Sequence, residues 1–170
     1  MAIQQATSSP IGVKNGAVIG ERLHLVTFLL LGEEFGLPIL DVREIIRITA
    51  ITPVPQAPSF VEGVINLRGQ IIPVVDLRKR FGIPAKEADE ETRIVVVELK
   101  NTVIGLVVDS VSEVLRLPAD TVAPPPAIVA GSIGAEYIKG IGHHDEKMII
   151  LIDMRKVFSD QEVGALEGSL

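Results

Sequence analysis

Cysteine and tryptophan are both absent from this chain of 170 residues, and the only aromatics are five Phe and one Tyr. The missing cysteine excludes disulfides, thiolate nucleophiles and thiolate metal centres. So few aromatic rings make no platform on which bases could stack. Positive charge is also in short supply: 16 Lys and Arg face 22 Asp and Glu, a net charge of −6. An acidic chain without a basic cluster is a poor ligand for nucleic acid, where neutralising phosphates supplies most of the affinity. No apolar run reaches the roughly 18 residues a membrane helix needs; Glu98, Lys100 and Asn101 interrupt the most hydrophobic region. The N-terminus carries no basic segment followed by an apolar core, so no secretion signal is read and the cytoplasm is the expected compartment. Neither a phosphate-binding GxxxxGK loop nor a nucleophile elbow occurs. No catalytic residue, metal site or cofactor is therefore assigned.

What the chain does have is aliphatic residues and a repeat. Apolar residues make up 47 % of it, enough for a folded protein. Val42-Arg43-Glu44-Ile45-Ile46-Arg47-Ile48 returns 69 positions later as Val111-Ser112-Glu113-Val114-Leu115-Arg116-Leu117, and Phe35-Gly36-Leu37 returns in the same register as Ile104-Gly105-Leu106. Further on the shift becomes 77: Phe60-Val61-Glu62-Gly63-Val64 meets Tyr137-Ile138-Lys139-Gly140-Ile141, and Ile71 to Phe81 meets Met148 to Phe158. The additional positions fall between Pro124 and Gly134, a Pro/Ala/Gly-rich segment. One module is thus used twice. At about 70 residues a single copy buries little apolar surface by itself, so the copies are expected to pack on each other.

Short Val/Ile/Leu-rich runs bounded by turn residues predict strands at Leu25–Leu31, Phe35–Leu40, Ile71–Val75, Ile94–Leu99, Val103–Val108 and Met148–Ile152. Gly32-Glu33-Glu34 and Lys100-Asn101-Thr102 read as equivalent turns. Val42 to Ile48 is compatible with a helix by pattern, but its β-branched content favours a strand. Asp76 and Asp153 each precede Leu/Met-Arg-Lys-x-x-Phe, where an Asp caps a short helical turn; capping is preferred here to a catalytic carboxylate pair. A helix is expected from Ser159, ending near Gly164. Residues 1–21 read as a mobile tail. The organisation expected is an all-β chain of two tandem five-stranded barrels: 22–88, 89–158, and a C-terminal helix and tail over 159–170.

Two features stand out as candidates for binding. Glu44 and Glu113 lie inside apolar segments at matched positions, where a charge must reach solvent, pair, or belong to an interface. The repeat favours a structural part, yet a strand face with Val42, Glu44 and Ile46 also suits a partner, and both readings stand. The second feature is an asymmetry. Asn66-Leu67-Arg68-Gly69 has no likeness to its counterpart His143-His144-Asp145-Glu146, read as a polar hairpin turn, although the sequence on either side is duplicated. The module's fold does not require this loop, so it points to recognition, with Arg68 as a permanently charged fork beside a glycine that permits close approach.

Asn66-Leu67-Arg68-Gly69-Gln70-Ile71-Ile72-Pro73-Val74-Val75-Asp76-Leu77-Arg78, with Phe81-Gly82 after it, closely resembles the signature of the CheW family of chemotaxis coupling proteins. Gly36-Leu37, Val42-Arg43-Glu44-Ile45, Phe60 to Gly63, Gly105 to Asp109 and Val111 to Val114 resemble that family too, and the likeness runs from about residue 23 to 160. The resemblance implies two SH3-like barrels related by a pseudo-two-fold repeat, with a hydrophobic interface and a strand exchange left open. It implies a non-enzymatic adaptor that joins the cytoplasmic tip of a chemoreceptor to the regulatory domain of the histidine kinase CheA, and associates with other CheW-like domains in rings at membrane-associated receptor arrays. Carried across residue by residue, Val42, Glu44 and Arg68 face the receptor, Leu67 and Gly69 support the loop, Gly63 permits its approach, and Val111 forms the opposing wall. Kinase-facing residues are not assigned. The chain carries no kinase or receiver segment and starts at Met1, so a free-standing adaptor is expected; alternatives are a relative of the CheA regulatory domain, another signalling scaffold, or a small-ligand-binding β-barrel.

Overall fold

The computed structural model describes residues 21–126 and 135–168. The expected tail, most of the Pro/Ala/Gly-rich insertion and the last two residues lie outside them. The strands are β1 (Arg22–Leu30), β2 (Glu33–Pro38), β3 (Val42–Arg47), β4 (Val61–Leu67), β5 (Gln70–Asp76), β6 (Arg93–Leu99), β7 (Thr102–Val108), β8 (Ser110–Pro118), β9 (Ile138–His144) and β10 (Lys147–Ile152). The helices are short: α1 (Leu77–Arg80), α2 (Met154–Val157) and α3 (Asp160–Gly168). Asp76 and Asp153 cap α1 and α2 as the sequence indicates, their carboxylates accepting from Arg78 N at 2.9 Å and Arg155 N at 3.0 Å. Helix α3 continues past Gly164 because Val163 and Leu166 on one face are buried in the core.

The strands form two five-stranded sheets, ordered β8-β1-β2-β10-β9 and β3-β6-β7-β5-β4. In each, the first hairpin of one copy is inserted between strands of the other. Hairpin β6–β7 runs antiparallel to β3 and parallel to β5, and β1–β2 does the same between β8 and β10. The exchange is reciprocal. A boundary at residue 88 therefore divides the repeats but not the sheets. Beyond each edge strand the chain turns to pair with the opposite edge, Thr52 with Val64 of β4 and Ala123 with Ile141 of β9. Each sheet so wraps into an SH3-like unit.

Every hairpin joining neighbouring antiparallel strands uses the same two-residue turn. Leu31-Gly32, Arg68-Gly69, Lys100-Asn101 and Asp145-Glu146 all have positive φ at both positions, between 48° and 86°. That is the type I′ signature, whose twist matches the strands it joins. The turn expected at Gly32-Glu33-Glu34 is thus displaced to Leu31-Gly32, and that expected at Lys100-Asn101-Thr102 is shortened to its first two residues, since Glu33 and Thr102 begin strands. His143 and His144 belong to β9, and only Asp145-Glu146 turns.

The largest core cluster lies between the two sheets rather than inside either. Phe28, Leu30, Phe35 and Leu37 of one meet Val75, Val95, Val97, Ile104 and Leu106 of the other, closed over by Leu77, Met154, Val157 and Phe158. Smaller clusters fill each unit: Leu25, Leu115, Leu117, Ile149 and Leu151 in one, Ile65, Ile72, Val74, Ile94 and Val96 in the other. Inward residues on consecutive positions of β6 serve both clusters, so its continuous apolar run reflects burial on two faces.

Candidate functional site

Strand β3 exposes alternate residues: Arg43, Ile45 and Arg47 face water, while Val42, Glu44 and Ile46 are half-buried. A bulge between Val42 and Glu44 shifts the pairing with β6, turning the strand and tilting Glu44 toward the rim of its unit. From the other edge, the β4–β5 turn delivers Arg68. Its guanidinium donates from both terminal nitrogens to the two carboxylate oxygens of Glu44, at 3.1 Å for the Oε1 contact. The pair spans both edge strands of the sheet. Hydrogen bonding from Arg68 holds the Glu44 carboxyl below its ordinary pKa, and the guanidinium is raised in return. The Arg68 side chain remains 70 % exposed, so its outer face is free to meet another molecule.

The arginine does not hold its own loop together. Asn66 does that, its Oδ1 accepting from Gly69 N at 2.8 Å. The second unit builds the same I′ turn from Asp145-Glu146, with Asp145 beside His144 at 3.4 Å, and Glu113 stands where Glu44 does in the first. The backbone is duplicated and the charge is not. Among the described residues, an exposed arginine–carboxylate fork at a hairpin turn therefore belongs to the first unit only.

The remaining predicted residues divide by role. Val42 and Val111 both pack half-buried against the core between the sheets, as repeat mates on the two sides of the junction. Leu67 points into its own unit beside Ile65 and Ile72. Gly69 takes φ +86° with open space around it. Gly63 is constrained differently: at φ +146°, a Cβ there would sit 2.1 Å from the Thr52 carbonyl oxygen. Its glycine permits the approach that closes the sheet, which accounts for the residue without any partner.

Two pairs of exposed apolar residues escaped the reading of the sequence. Ile45 and Val114 are repeat mates on β3 and β8, and Ile71 and Met148 are repeat mates on β5 and β10; all four are exposed. For Ile45 and Val114 the signal was available in the alternation of the strand, since they fall out of phase with more buried neighbours; β5 and β10 do not alternate, being exposed at their first two residues and mostly buried beyond them. Large aliphatic side chains are thus left in water at equivalent places on both units.

Past the other end of β5 from the Arg68 turn, Arg78 binds Asp109 with Nε–Oδ1 at 2.7 Å and donates to the Pro84 carbonyl at 2.8 Å. Asp109 also accepts from Leu31 N at 3.0 Å. This pair ties α1, the β1–β2 turn and the β7–β8 junction together. Arg78 holds the Asp109 carboxyl below its usual range, whereas burial pushes Asp76 up.

Two wrapped five-stranded sheets on a shared core, with their distinctive side chains turned outward on edges and turns, define a protein-binding module of the double SH3-like class. The chain belongs to the CheW-like domain family, whose model matches residues 24–162. Among its relatives, the chemotaxis protein CheW of Klebsiella aerogenes is 38 % identical over 153 residues, covering 90 % of each chain. The chemotaxis protein CheW of Treponema pallidum is 36 % identical over 156 residues, 88 % of this chain and 90 % of that one. In structure, the scaffolding protein TtCheW from Thermoanaerobacter tengcongensis superposes with a TM-score of 0.75 at 41 % identity, covering 82 % of this chain and 94 % of that chain. Among the described residues no helix is long and apolar enough to cross a membrane.

Proposed function

We propose that this protein is a chemotaxis coupling scaffold, which joins the cytoplasmic tip of a chemoreceptor to the histidine kinase CheA and performs no covalent step. Family membership over nearly the whole folded part supports the class of activity. The observation that carries the assignment of the site is the asymmetry between the two units: identical turn geometry, with an exposed Arg68–Glu44 fork on one alone. A structural requirement of the module would be met in both copies. Recognition of one partner requires only one.

In this reading the receptor tip, a helical hairpin, lays an apolar stripe against Val42 and Val111 while the fork fixes its register, as in other helix-in-groove complexes. Leu67 and Gly69 hold the turn from which Arg68 projects. Ile45, Val114, Ile71 and Met148 supply the contacts to barrels of similar fold, the CheA regulatory domain and other CheW-like domains. Two such surfaces, one on each unit, let a single chain extend an assembly in two directions. The protein then acts in the cytoplasm, recruited to receptor arrays. It changes kinase output by raising the effective concentration of the receptor and by biasing the kinase's conformational balance.

The test is co-sedimentation of CheA with receptor-containing membranes. Recovery of CheA that rises with added wild-type chain, and is lost with Arg68→Glu at equal folded concentration, is the expected result. Equal recovery with the variant would remove the fork from the receptor contact.

A further inference from the structure

The two units carry equivalent hairpin turns, and the repeat also relates what lines the mouth beneath each turn. In the first unit Leu67 and Val103 pack on the unit's own cluster, and the Arg68–Glu44 fork closes the rim. The same places in the second unit hold His144 and Glu34, with Asp145 for Arg68 and Glu113 for Glu44. An apolar mouth under a satisfied ion pair has become a mouth of carboxylates.

Two of those carboxylates lack what their chemistry needs. Glu34 lies on β2 with its side chain only 10 % exposed. Lys147, the first residue of β10, stands 3.9 Å from one of its oxygens, beyond hydrogen-bond reach, and is itself mostly exposed. Among the described residues no donor reaches the other oxygen, Oε2, which is buried. A carboxylate so placed costs free energy that nothing inside the unit offsets. Glu113 is exposed, and its backbone is held by Thr27 opposite it on β1. The Thr27 hydroxyl donates to the Glu113 carbonyl and accepts from the Glu113 N–H, both at 3.2 Å. Among the described residues no cation pairs with the Glu113 carboxylate. Where the first unit supplies an arginine from its turn, the second supplies Asp145.

We propose that this mouth is a socket for a basic side chain, a guanidinium or an ammonium, of the helical partner that lies over Val42 and Val111, and that it sets the direction in which that partner lies. The inference rests on the coupling reading above. Glu44 and Glu113 each sit two residues, about 7 Å, along their strands from Val42 and Val111, so an elongated segment over the two valines meets one of them on each side. Apolar contacts alone would accept such a segment either way round, because the two sides are related by the repeat. The charges are not so related. Arg68 suits an acidic group at one end of the segment, and Glu113 with Glu34 suits a basic one at the other. Opposite charges at the two ends favour one orientation and penalise its reverse.

The test is calorimetric titration of the full chain with the cytoplasmic tip fragment of its cognate chemoreceptor, beside methyl spectra with a nitroxide at one end of that fragment. Glu113→Gln and Glu34→Val, the second placing there the residue type the first unit carries, are each expected to weaken binding about fivefold or more. One lysine or arginine of the fragment, changed to alanine, should weaken binding to the wild type and make no difference to Glu34→Val. The free Glu34→Val chain should melt no lower than the wild type, since it loses an unsatisfied oxygen. The nitroxide should broaden methyls of one unit in the wild type, and of both units in the Glu34→Val/Glu113→Gln double variant. Unchanged affinity for Glu113→Gln, with binding still lost in Arg68→Glu, would overturn the socket and leave the coupling reading standing. No binding by the wild type would overturn both. Unfolding of Glu34→Val beside normal binding by Glu113→Gln would make Glu34 a structural residue and overturn the proposal. Calcium bound by the free wild type and not by Glu34→Val would overturn it in favour of an inorganic ion.

Discussion

Arg68 and Arg78 both fork onto a carboxylate, yet burial gives them different work. The Arg68 side chain is 70 % exposed, whereas those of Arg78 and Asp109 are 10 % and 17 % exposed. An exposed pair is screened by water and salt and contributes little to folding. Arg68→Glu is therefore expected to leave the melting temperature nearly unchanged while reducing receptor-fragment binding by about tenfold or more, the cost of one lost charge-assisted fork at an interface. Calorimetry beside a binding titration checks both halves; a large fall in melting temperature would make Arg68 a structural residue. Removing one partner of the buried pair is another matter, and Asp109→Asn should destabilise by about 3 kcal/mol at neutral pH. The pH dependence follows from the direction of the shift. Asp109 is held below its ordinary pKa, so its contribution is fully present above that ordinary value and is lost as pH falls through the depressed one. Urea unfolding of wild type and Asp109→Asn should accordingly converge as pH drops from about 6 toward about 2.5, and a constant gap between them would contradict the assignment.

At the scale of elements, the turns and the glycines separate what the fold needs from what a partner needs. Four I′ turns of one geometry are built from Leu-Gly, Arg-Gly, Lys-Asn and Asp-Glu, so the turn tolerates many side chains and Arg68 is not there for the backbone. Gly69 has open space around it, and Gly69→Ala should cost about 1–2 kcal/mol through its positive φ alone. Gly63→Ala adds a collision with the Thr52 carbonyl 2.1 Å away, and a loss of about 3 kcal/mol or more is expected. Denaturant titration of the two variants should separate them clearly. Elements of this kind were readable from sequence to different depths. β3 and β6 announced themselves through β-branched runs, and the caps through Asp76 and Asp153. β4 did not, because Glu62, Gly63 and Asn66 break its apolar pattern, the glycine sitting at a bulge. Glu44 and Arg68 were each singled out by chemistry, but their pairing was not legible: it needs the sheet to wrap until edges 24 residues apart in sequence meet.

For the whole molecule the governing fact is the reciprocal exchange of hairpins between the two repeats. Local patterns are the same whether β1–β2 pairs within its own copy or with the other, which is why the repeat was plain in the sequence and the exchange was not. The consequence is physical. Chains cut at residue 88 leave each half without its central hairpin and expose the cluster around Phe28, Val95 and Phe158. Fragments 1–88 and 89–170 are expected to be unfolded alone by circular dichroism and to recover strand signal when mixed; independent folding of either would contradict the topology. A shared core of this kind also fixes the angle between the two units, which a scaffold requires if it is to hold partners in one geometry. That role is the central claim, and its most direct measurement is CheA autophosphorylation with a receptor cytoplasmic fragment, in the presence and absence of this protein. The account predicts a strong rise that requires all three components and disappears with Arg68→Glu. Kinase output indifferent to the folded wild-type chain, with its cognate partners present, would contradict it.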